Sequence, residues 1–241
     1  MTLKIISWNL NMYNISKIDF NNRCSKVISE LISKCNDVDI IVLIESSLPF
    51  LEKLKNSDIK KDFSLYPKLT MSHGGIINIL YNKKNIKESD IKQYPLDNMV
   101  PVLLINLTKG KENYFLGGCH LAPFAENSEL RIQEILIARS LVPLDKPLVL
   151  IGDMNMREKE SKFIEKDKEL FQLSDSGDKR KTWFKSFFEE NSPVSSKFDR
   201  VFISQKLKIN NFELFGRKSV NGKMELLSDH LAIKVDIHLK E

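Results

Sequence analysis

The sequence predicts an α/β sandwich in which two mixed β-sheets pack face to face and helices cover their outer sides. Short apolar, β-branched runs recur along the chain and end in polar or turn-forming residues, as buried strands do. Pairs of such strands alternate with helical segments over the whole length. No glycine-rich phosphate loop follows the first strand, which disfavours a doubly wound parallel fold.

Hydrophobic periodicity assigns the elements of the first half. Apolar residues such as Val27 and Leu31 recur at helical spacing, whereas the run that leads to Glu45 is uniformly aliphatic. The expected strands are 3–8, 38–45 and 76–81, and the expected helices are 21–35 and 50–62.

The second half shows the same alternation. Leu130, Ile137 and Leu141 lie near one face of the clearest helix, and a polar turn joins two strands before it. The expected strands are 101–107, 114–120, 147–152, 198–203, 212–215 and 231–237; the helix is 126–141, and the charged stretch 157–191 forms short helices and loops.

Length and composition fit one domain over residues 1–241. The chain is 42% hydrophobic and 29% charged, and its formal charge of +5 permits an anionic partner such as nucleic acid. On charge alone, a general enrichment in Lys and Asn is the better explanation. The three cysteines lack zinc-type spacing and are expected to be reduced, mostly buried thiols. No signal-peptide pattern or membrane-length apolar run is visible, so we expect an intracellular protein, cytoplasmic or nuclear, that does not associate with membranes.

Polar residues follow or precede several of these strands. Asn9 follows the first strand, Glu45 follows 40–44, Gly152-Asp153-Met154-Asn155 follows 148–151, and Ser228-Asp229-His230 precedes 231–237. Carboxylates, amides and an imidazole at strand ends indicate one polar cluster at a sheet edge. Metal-assisted phosphoester hydrolysis requires this set of groups.

Glu45 is the candidate metal ligand because a carboxylate at the end of a buried strand must be paired or bind a cation. Taken alone, a salt bridge to Lys or Arg explains it better; the convergence of the other groups favours a metal. Mg²⁺ prefers oxygen ligands and often takes only one or two protein carboxylates plus substrate phosphate.

The remaining groups fit roles around a phosphoryl centre. Asp153 can orient or deprotonate a water, and Asn155, on the same side if the strand continues, can donate to a phosphoryl oxygen. His230 can stabilise a pentavalent phosphorane, and Asp199 is the best candidate to orient its imidazole. His120 ends a predicted strand and could hold another phosphate oxygen.

Two tryptophans require separate interpretations. Trp8 points away from Asn9 on a strand and is expected in the core. Trp183 follows a lysine- and arginine-rich run and could stack on a base or an aromatic peptide. A hydrophobic anchor that pins a loop is an equally good explanation of Trp183.

The motif order resembles the endonuclease/exonuclease/phosphatase superfamily from Ile5 to Ile237. The matching runs are Ser7-Trp8-Asn9, Ile44-Glu45, Gly152-Asp153-Met154-Asn155 and Ser228-Asp229-His230. The resemblance implies a four-layer α/β sandwich and phosphoester cleavage with Mg²⁺ or Mn²⁺. It implies that Glu45 is a metal ligand, with Asp229 near the metal, and that Asn9 contacts phosphate or a metal-bound water. Asp153 and Asn155 would handle the attacking water and phosphate, and His230 the transition state.

Further details resemble the 5′-tyrosyl-DNA phosphodiesterase branch of that superfamily. These are the Gly152–Arg157 run, Cys119-His120-Leu121, Thr182-Trp183 and Lys197–Phe202, although a Phe-Asp-Arg element also occurs in other phosphatases of the superfamily. This resemblance implies that Arg157 touches a backbone phosphate and that Trp183 lines a DNA or peptide groove.

Asn11 departs from the pattern, because many relatives carry Asp at this position after Ser-Trp-Asn. We expect Asn11 near the metal, where the missing carboxylate weakens divalent-cation affinity and could even remove activity.

We therefore expect a monomeric metal-dependent phosphodiesterase that acts on a DNA 5′ end bearing a tyrosyl or peptide adduct. A phenol has a pKa of about 10, so phenolate leaves with little protonation, and no Tyr or Lys obviously supplies a general acid for a sugar alkoxide. The alternatives are another nuclease, a deadenylase or a phosphoinositide phosphatase of the superfamily, or a non-catalytic binding protein, which only Asn11 favours.

Overall fold

Two six-stranded mixed sheets form the centre of the structure, a computed structural model that describes residues 2–13, 17–66, 77–94, 101–185, 194–220 and 223–240. The strands are β1 Thr2–Asn9, β2 Ile40–Ile44, β3 Phe63–Tyr66, β4 Ile77–Asn82, β5 Ile91–Gln93, β6 Val102–Lys109, β7 Glu112–His120, β8 Leu148–Asp153, β9 Leu173–Asp175, β10 Trp183–Phe184, β11 Ser195–Ser196, β12 Asp199–Ser204, β13 Leu207–Phe215, β14 Arg217–Val220, β15 Lys223–Leu226 and β16 Ala232–Leu239. The helices are α1 Lys17–Lys34, α2 Leu48–Lys55, α3 Ser128–Ser140 and α4 Glu158–Lys166.

Each large sheet contains one parallel pair among antiparallel neighbours. The first sheet has the order β13-β16-β1-β2-β4-β3, with β1 parallel to β2, and the second has the order β5-β6-β7-β8-β12-β9, with β7 parallel to β8. The predicted fold class is therefore confirmed. Two further two-stranded sheets pair β10 with β11 and β14 with β15.

Three apolar cores separate four layers. Ile5 and Val42 face Leu116 and Ile151 in the inner core between the two sheets. The alternating residues of the same strands, including Trp8 and Leu43, face outwards and pack against α1 and α2. A third core, which includes Leu150 and Ile135, lies between the second sheet and α3. Both faces of the central strands are thus buried, which explains their continuous aliphatic runs.

Trp8 lies in the core, as predicted, with no exposed surface, and all three cysteines are buried and unpaired. None of the described helices has the length and apolar character that a membrane crossing requires.

The predicted helix 50–62 is wrong in its extent. α2 ends at Lys55, and a separate 3₁₀ helix covers Asp58–Lys61 after Ser57, whose hydroxyl accepts the backbone N–H of Ile59. A serine that captures a nearby backbone donor interrupts a helix in this way. Seven short strands were not predicted, since two to four residues carry little periodicity; they are β3, β5, β9, β10, β11, β14 and β15. Residues 76 and 186–191 of the predicted elements lie outside the described residues.

Candidate active site

The carboxyl ends of both parallel pairs meet at one edge of the sandwich. Asn9 ends β1, and Glu45 directly follows β2, its parallel neighbour. In the second sheet His120 ends β7 and stands opposite Asp153 at the end of β8. Parallel strands finish on the same side of a sheet, so four polar side chains separated along the chain come together.

Two antiparallel strands begin at the same edge. Asp199 starts β12 and stands opposite Asp153 in the register of the sheet. His230 lies two residues before β16, which runs antiparallel to β1. The indole of Trp8 donates a 3.0 Å hydrogen bond to the His230 carbonyl oxygen, so a core residue helps to fix the position of His230.

Gly152 shows why the end of β8 requires this particular residue. Its φ of 144° lies outside the range that side chains tolerate, and a Cβ there would lie 2.2 Å from the carbonyl oxygen of Cys119. The absence of a side chain lets β8 close on β7 and places Asp153 beside His120.

The Asn9 side chain bridges the two carboxylates. Its fully buried Nδ2 donates to Glu45 Oε1 and to Asp153 Oδ2, both at 3.0 Å. Its Oδ1 accepts the backbone N–H of Asn11 at 3.0 Å, which fixes the orientation of the amide. One amide nitrogen therefore holds two acidic oxygens side by side.

Glu45 and His120 form an ion pair, with His120 Nε2 lying 3.2 Å from Glu45 Oε1. Burial acts to raise the pKa of the Glu45 carboxyl, but the hydrogen bonds from His120 and Asn9 outweigh it and hold that pKa below its ordinary value. Burial acts to lower the pKa of His120, yet the Glu45 hydrogen bond and the charge of Asp153 raise it. The arrangement favours a carboxylate beside an imidazolium.

His230 lies between two carboxylates. Its Nδ1 is 2.8 Å from Asp199 Oδ2, and its Nε2 is 3.7 Å from Asp153 Oδ2. Burial disfavours the charged imidazole, but the charges of Asp199 and Asp153 raise the pKa of His230 to about 10. His230 is therefore a charged hydrogen-bond donor at neutral pH and suits the stabilisation of an oxyanion.

Thr182 positions Asp199, a role that the sequence analysis missed. The buried hydroxyl of Thr182 accepts the backbone N–H groups of Phe198 and Asp199 at 3.1 and 2.9 Å. Its carbonyl oxygen accepts the N–H of Leu231 at 2.7 Å. Thr182 thus links the strand that carries Asp199 to the segment that carries His230.

Asp229 and Asn11 contact each other. Asn11 Nδ2 donates to Asp229 Oδ1 at 3.0 Å, and the indole of Trp183 donates to Asp229 Oδ2 at 3.2 Å. Arg23, from α1, donates to the carbonyl oxygens of Leu10 at 2.5 Å and Leu227 at 2.6 Å and so ties together the two loops that carry Asn11 and Asp229. Sequence reasoning missed Arg23, which carries no motif signal.

The carboxylate of Glu45 fits a divalent cation, and that of Asp153 lies close enough to orient a water beside it. Among the described residues, ligand atoms of Glu45, His120 and Asp153 lie within 4.8 Å of one another, as do those of Asp153, Asp199 and His230. Mg²⁺ and Mn²⁺ take oxygen ligands, so the oxygens beside Asn9 suit such an ion. The imidazole of His120, whose pKa is raised by its hydrogen bond to Glu45, suits a phosphate oxygen better than a metal.

Asn155 differs from the expectation that the strand continues past Asp153. β8 ends at Asp153, and Asn155 has a φ of 49°. Its backbone N–H donates to Asp153 Oδ1 at 3.0 Å, so a local turn replaces the extended conformation. Its Nδ2 donates to the Leu121 carbonyl oxygen at 2.9 Å and retains a second hydrogen for a ligand.

A strip of aromatic and cationic side chains adjoins these groups. The guanidinium of Arg157 lies 5.1 Å from the centroid of the Phe198 ring, and the rings of Phe198 and Trp183 are 5.2 Å apart. Trp183 forms an isolated β-bridge with His230. The strip therefore begins beside the backbone of His230. The sequence analysis did not predict a role for Phe198, whose only signal was its position directly before Asp199.

Comparison with known proteins gives one family match by sequence. A model of the Endonuclease/Exonuclease/phosphatase family matches residues 6–230. None of the curated protein sequences that were compared matches significantly.

Several solved structures share the fold. D. rerio TDP2 complexed with single strand DNA product has a TM-score of 0.77 at 19% identity, over 98% of this chain and 99% of that chain. Truncated Caenorhabditis elegans TDP2 has a TM-score of 0.72 at 19% identity, over 98% of both chains. An endonuclease/exonuclease/phosphatase family protein from Bacteroides thetaiotaomicron has a TM-score of 0.72 at 17% identity, over 100% of this chain and 99% of that chain. At such identities the similarity shows the fold alone.

Proposed function

Because the chain belongs to the endonuclease/exonuclease/phosphatase family, whose members hydrolyse phosphoesters, we propose that it is a Mg²⁺- or Mn²⁺-dependent phosphodiesterase acting on 5′-phosphotyrosyl-DNA. The observation that carries the proposal is the pair of carboxylates held by Asn9 opposite the ion pair of His230 and Asp199. Anionic groups that attract a cation thus lie beside a cationic donor, with His230 Nε2 3.7 Å from Asp153 Oδ2.

Each side chain has a distinct part in hydrolysis. A bound divalent cation would supply Lewis-acid polarisation of the phosphoryl oxygen beside Glu45, with Asp229 and Asn11 near it. Asp153, held by Asn9, orients and deprotonates the attacking water. His230 donates to the oxyanion of the transition state, and Asp199 keeps its ring oriented. His120 and the free amide hydrogen of Asn155 hold further phosphate oxygens.

The aromatic and cationic strip supports a nucleic-acid substrate. Base stacking on aromatic rings tolerates any sequence, and a guanidinium attracts backbone phosphate. Arg157 and Trp183 lie at opposite ends of the strip, with Phe198 between them. D. rerio TDP2, which has the same fold, was crystallised with a single strand DNA product. We therefore infer that the strip receives a DNA strand.

The residues around the candidate catalytic groups support a tyrosyl leaving group. Among the described residues, no Tyr or Lys side chain hydrogen-bonds to Asn9, Glu45, Asp153 or His230. A phenolate leaves without a strong general acid because a phenol has a pKa of about 10, whereas a sugar alkoxide needs one. This chemistry, with the motif resemblance, favours the phosphotyrosyl diester.

A substrate panel tests the proposal. With Mg²⁺, we expect release of tyrosine from a 5′-tyrosyl oligonucleotide to exceed cleavage of abasic DNA, poly(A) and inositol phosphates, and EDTA should stop it. Faster turnover of one of the other three would replace the substrate with that of a nuclease, a deadenylase or a phosphoinositide phosphatase. Inactivity on all four would indicate a binding protein.

Asn11→Asp is expected to lower the Mg²⁺ concentration needed for half-maximal activity, with little change in the saturated rate. The added carboxylate would face Asp229, which now accepts a hydrogen bond from the Asn11 amide. Two facing carboxylates strengthen the field for a cation but repel each other without one. The metal-free melting temperature should therefore fall slightly and recover when Mg²⁺ is added.

Asn210→Asp, at an exposed position on β13, adds the same charge elsewhere and serves as the control. Metal titrations of the three proteins, followed by activity and by melting temperature, measure both effects. Superimposed curves for Asn11→Asp and wild type would place Asn11 outside the reach of the metal.

A further inference from the structure

Phe124 combines two features that are unfavourable for a bulky apolar residue. Its side chain is 65% exposed, and its backbone has a φ of 69°, a conformation that costs a bulky residue about 1 kcal/mol or more. It belongs to none of the three apolar cores of the described residues. Exposure and backbone strain without packing indicate a role outside folding.

Buried charges impose this conformation. The carbonyl oxygen of Phe124 accepts hydrogen bonds from Arg131 Nη1 at 2.6 Å and from Arg157 Nη1 at 3.3 Å. Arg131 has no exposed surface, donates to Ala122 O at 2.8 Å and pairs with Glu160. Glu160 in turn accepts the backbone N–H of Arg157 at 2.5 Å. The loop after His120 and the loop after Asp153 are therefore clamped together, and the clamp closes on Phe124.

The position of Phe124 is also linked to the aromatic strip. The guanidinium of Arg157 reaches the Phe124 carbonyl while it lies over the Phe198 ring. One guanidinium group thus contacts both the Phe124 carbonyl oxygen and the Phe198 ring. Of the five non-glycine residues with positive φ in the described chain, three are Asn11, Glu45 and Asn155, which belong to the candidate site, and Phe124 is the fourth.

We propose that Phe124 is a substrate-contacting residue whose ring stacks on a nucleobase of the bound DNA strand and extends the strip of Arg157, Phe198 and Trp183. The proposal rests on the proposed function and adds a substrate contact to it. An exposed phenyl ring whose backbone carbonyl oxygen binds a guanidinium suits a base that is attached to a phosphate, because the ring can stack while the guanidinium takes the charge. The clamp holds the Phe124 backbone in place before the substrate arrives, which reduces the entropy lost on binding.

Three substitutions test this role. Phe124→Ala and Phe124→Gly should each weaken binding of a 5′-phosphorylated single-stranded oligonucleotide about tenfold, the typical value of one base–aromatic stack. Phe124→Trp should bind at least as tightly as wild type. Hydrolysis of bis(4-nitrophenyl) phosphate, which has no nucleobase, should change less than oligonucleotide binding does in the alanine and glycine variants. Fluorescence anisotropy measures binding, and initial rates measure hydrolysis.

Thermal melting separates a substrate contact from a structural role. Glycine adopts a positive φ without strain, so Phe124→Gly should melt above Phe124→Ala and not below wild type. A packing residue would instead lose stability in both variants, and that result would overturn the proposal. Leu144→Ala, which removes another exposed apolar side chain (56% exposed), is the control and should leave binding unchanged.

Two failures can be distinguished. If wild type binds and cleaves the oligonucleotide but the Phe124 variants bind it equally well, the stacking role is wrong and the proposed function stands. If wild type neither binds nor cleaves any oligonucleotide but hydrolyses bis(4-nitrophenyl) phosphate, the DNA substrate is wrong and the stacking role falls with it.

Discussion

Glu45→Gln is expected to abolish phosphoester hydrolysis while it leaves the fold intact. The substitution removes the negative charge that a divalent cation requires but keeps an oxygen that can accept the hydrogen bonds from Asn9 and His120 at 3.0 and 3.2 Å. Loss of one metal-binding charge in a site of this kind should reduce the rate at least ~10³-fold, equivalent to about 4 kcal/mol of barrier. Rates with Mg²⁺ and with EDTA, alongside melting curves, measure the effect.

Glu52→Gln, at an exposed position on α2, makes the same chemical change away from the site and should retain full activity. Wild-type hydrolysis that continues unchanged in EDTA would contradict metal dependence. A large fall in the melting temperature of Glu45→Gln would instead assign Glu45 a structural role.

Asp153→Asn and His230→Ala are each expected to reduce the rate at least ~10³-fold. The rate of the double variant should be only slightly lower than that of the less active single variant. The two side chains act on one phosphoryl centre, with His230 Nε2 only 3.7 Å from Asp153 Oδ2. Without the base, the oxyanion that His230 stabilises does not form, so the second substitution has little left to remove.

Single-turnover rates of the four proteins provide the test. His238→Ala removes a histidine of β16 that hydrogen-bonds to Thr2, outside the candidate site, and should have no effect on the rate. His230→Gln replaces His230→Ala if the latter melts early, because the glutamine side chain fills more of the buried space. Turnover near that of wild type in either single variant would remove that residue from the mechanism, and fully additive losses would show that the two act independently.

The sequence alone was sufficient for the fold class and for the residues that end the strands. Buried strands require uninterrupted aliphatic runs, so the positions at which those runs stop are visible as Asn9, Glu45 and Asp153. The motif order carried the family and is confirmed by the match over residues 6–230. The pairing of Asp199 with His230 was expected, and the structure places the two side chains 2.8 Å apart.

Local pattern was less informative where the backbone departs from regular geometry. The extended conformation expected at Asn155 is replaced by a turn with positive φ, and the helix expected over 50–62 is divided at Ser57. In both places a backbone N–H donates to a polar side chain two residues before it: Asn155 to Asp153, and Ile59 to Ser57. Such bonds compete with regular structure and depend on conformation, which residue type alone does not specify.

Residue types and their spacing determined which chemical groups this protein brings to one edge of its sheets, because burial and strand ends leave a local signature. Only the tertiary structure decided which groups touch. Asn9 joins Glu45 to Asp153, Asn11 faces Asp229, and Arg131 clamps the loop of Phe124. The first two link residues up to 218 positions apart, and the Arg131 clamp depends on the packing of a helix against two loops. Strand register and helix packing set these distances, and both result from burying all three cores at once rather than from any single segment.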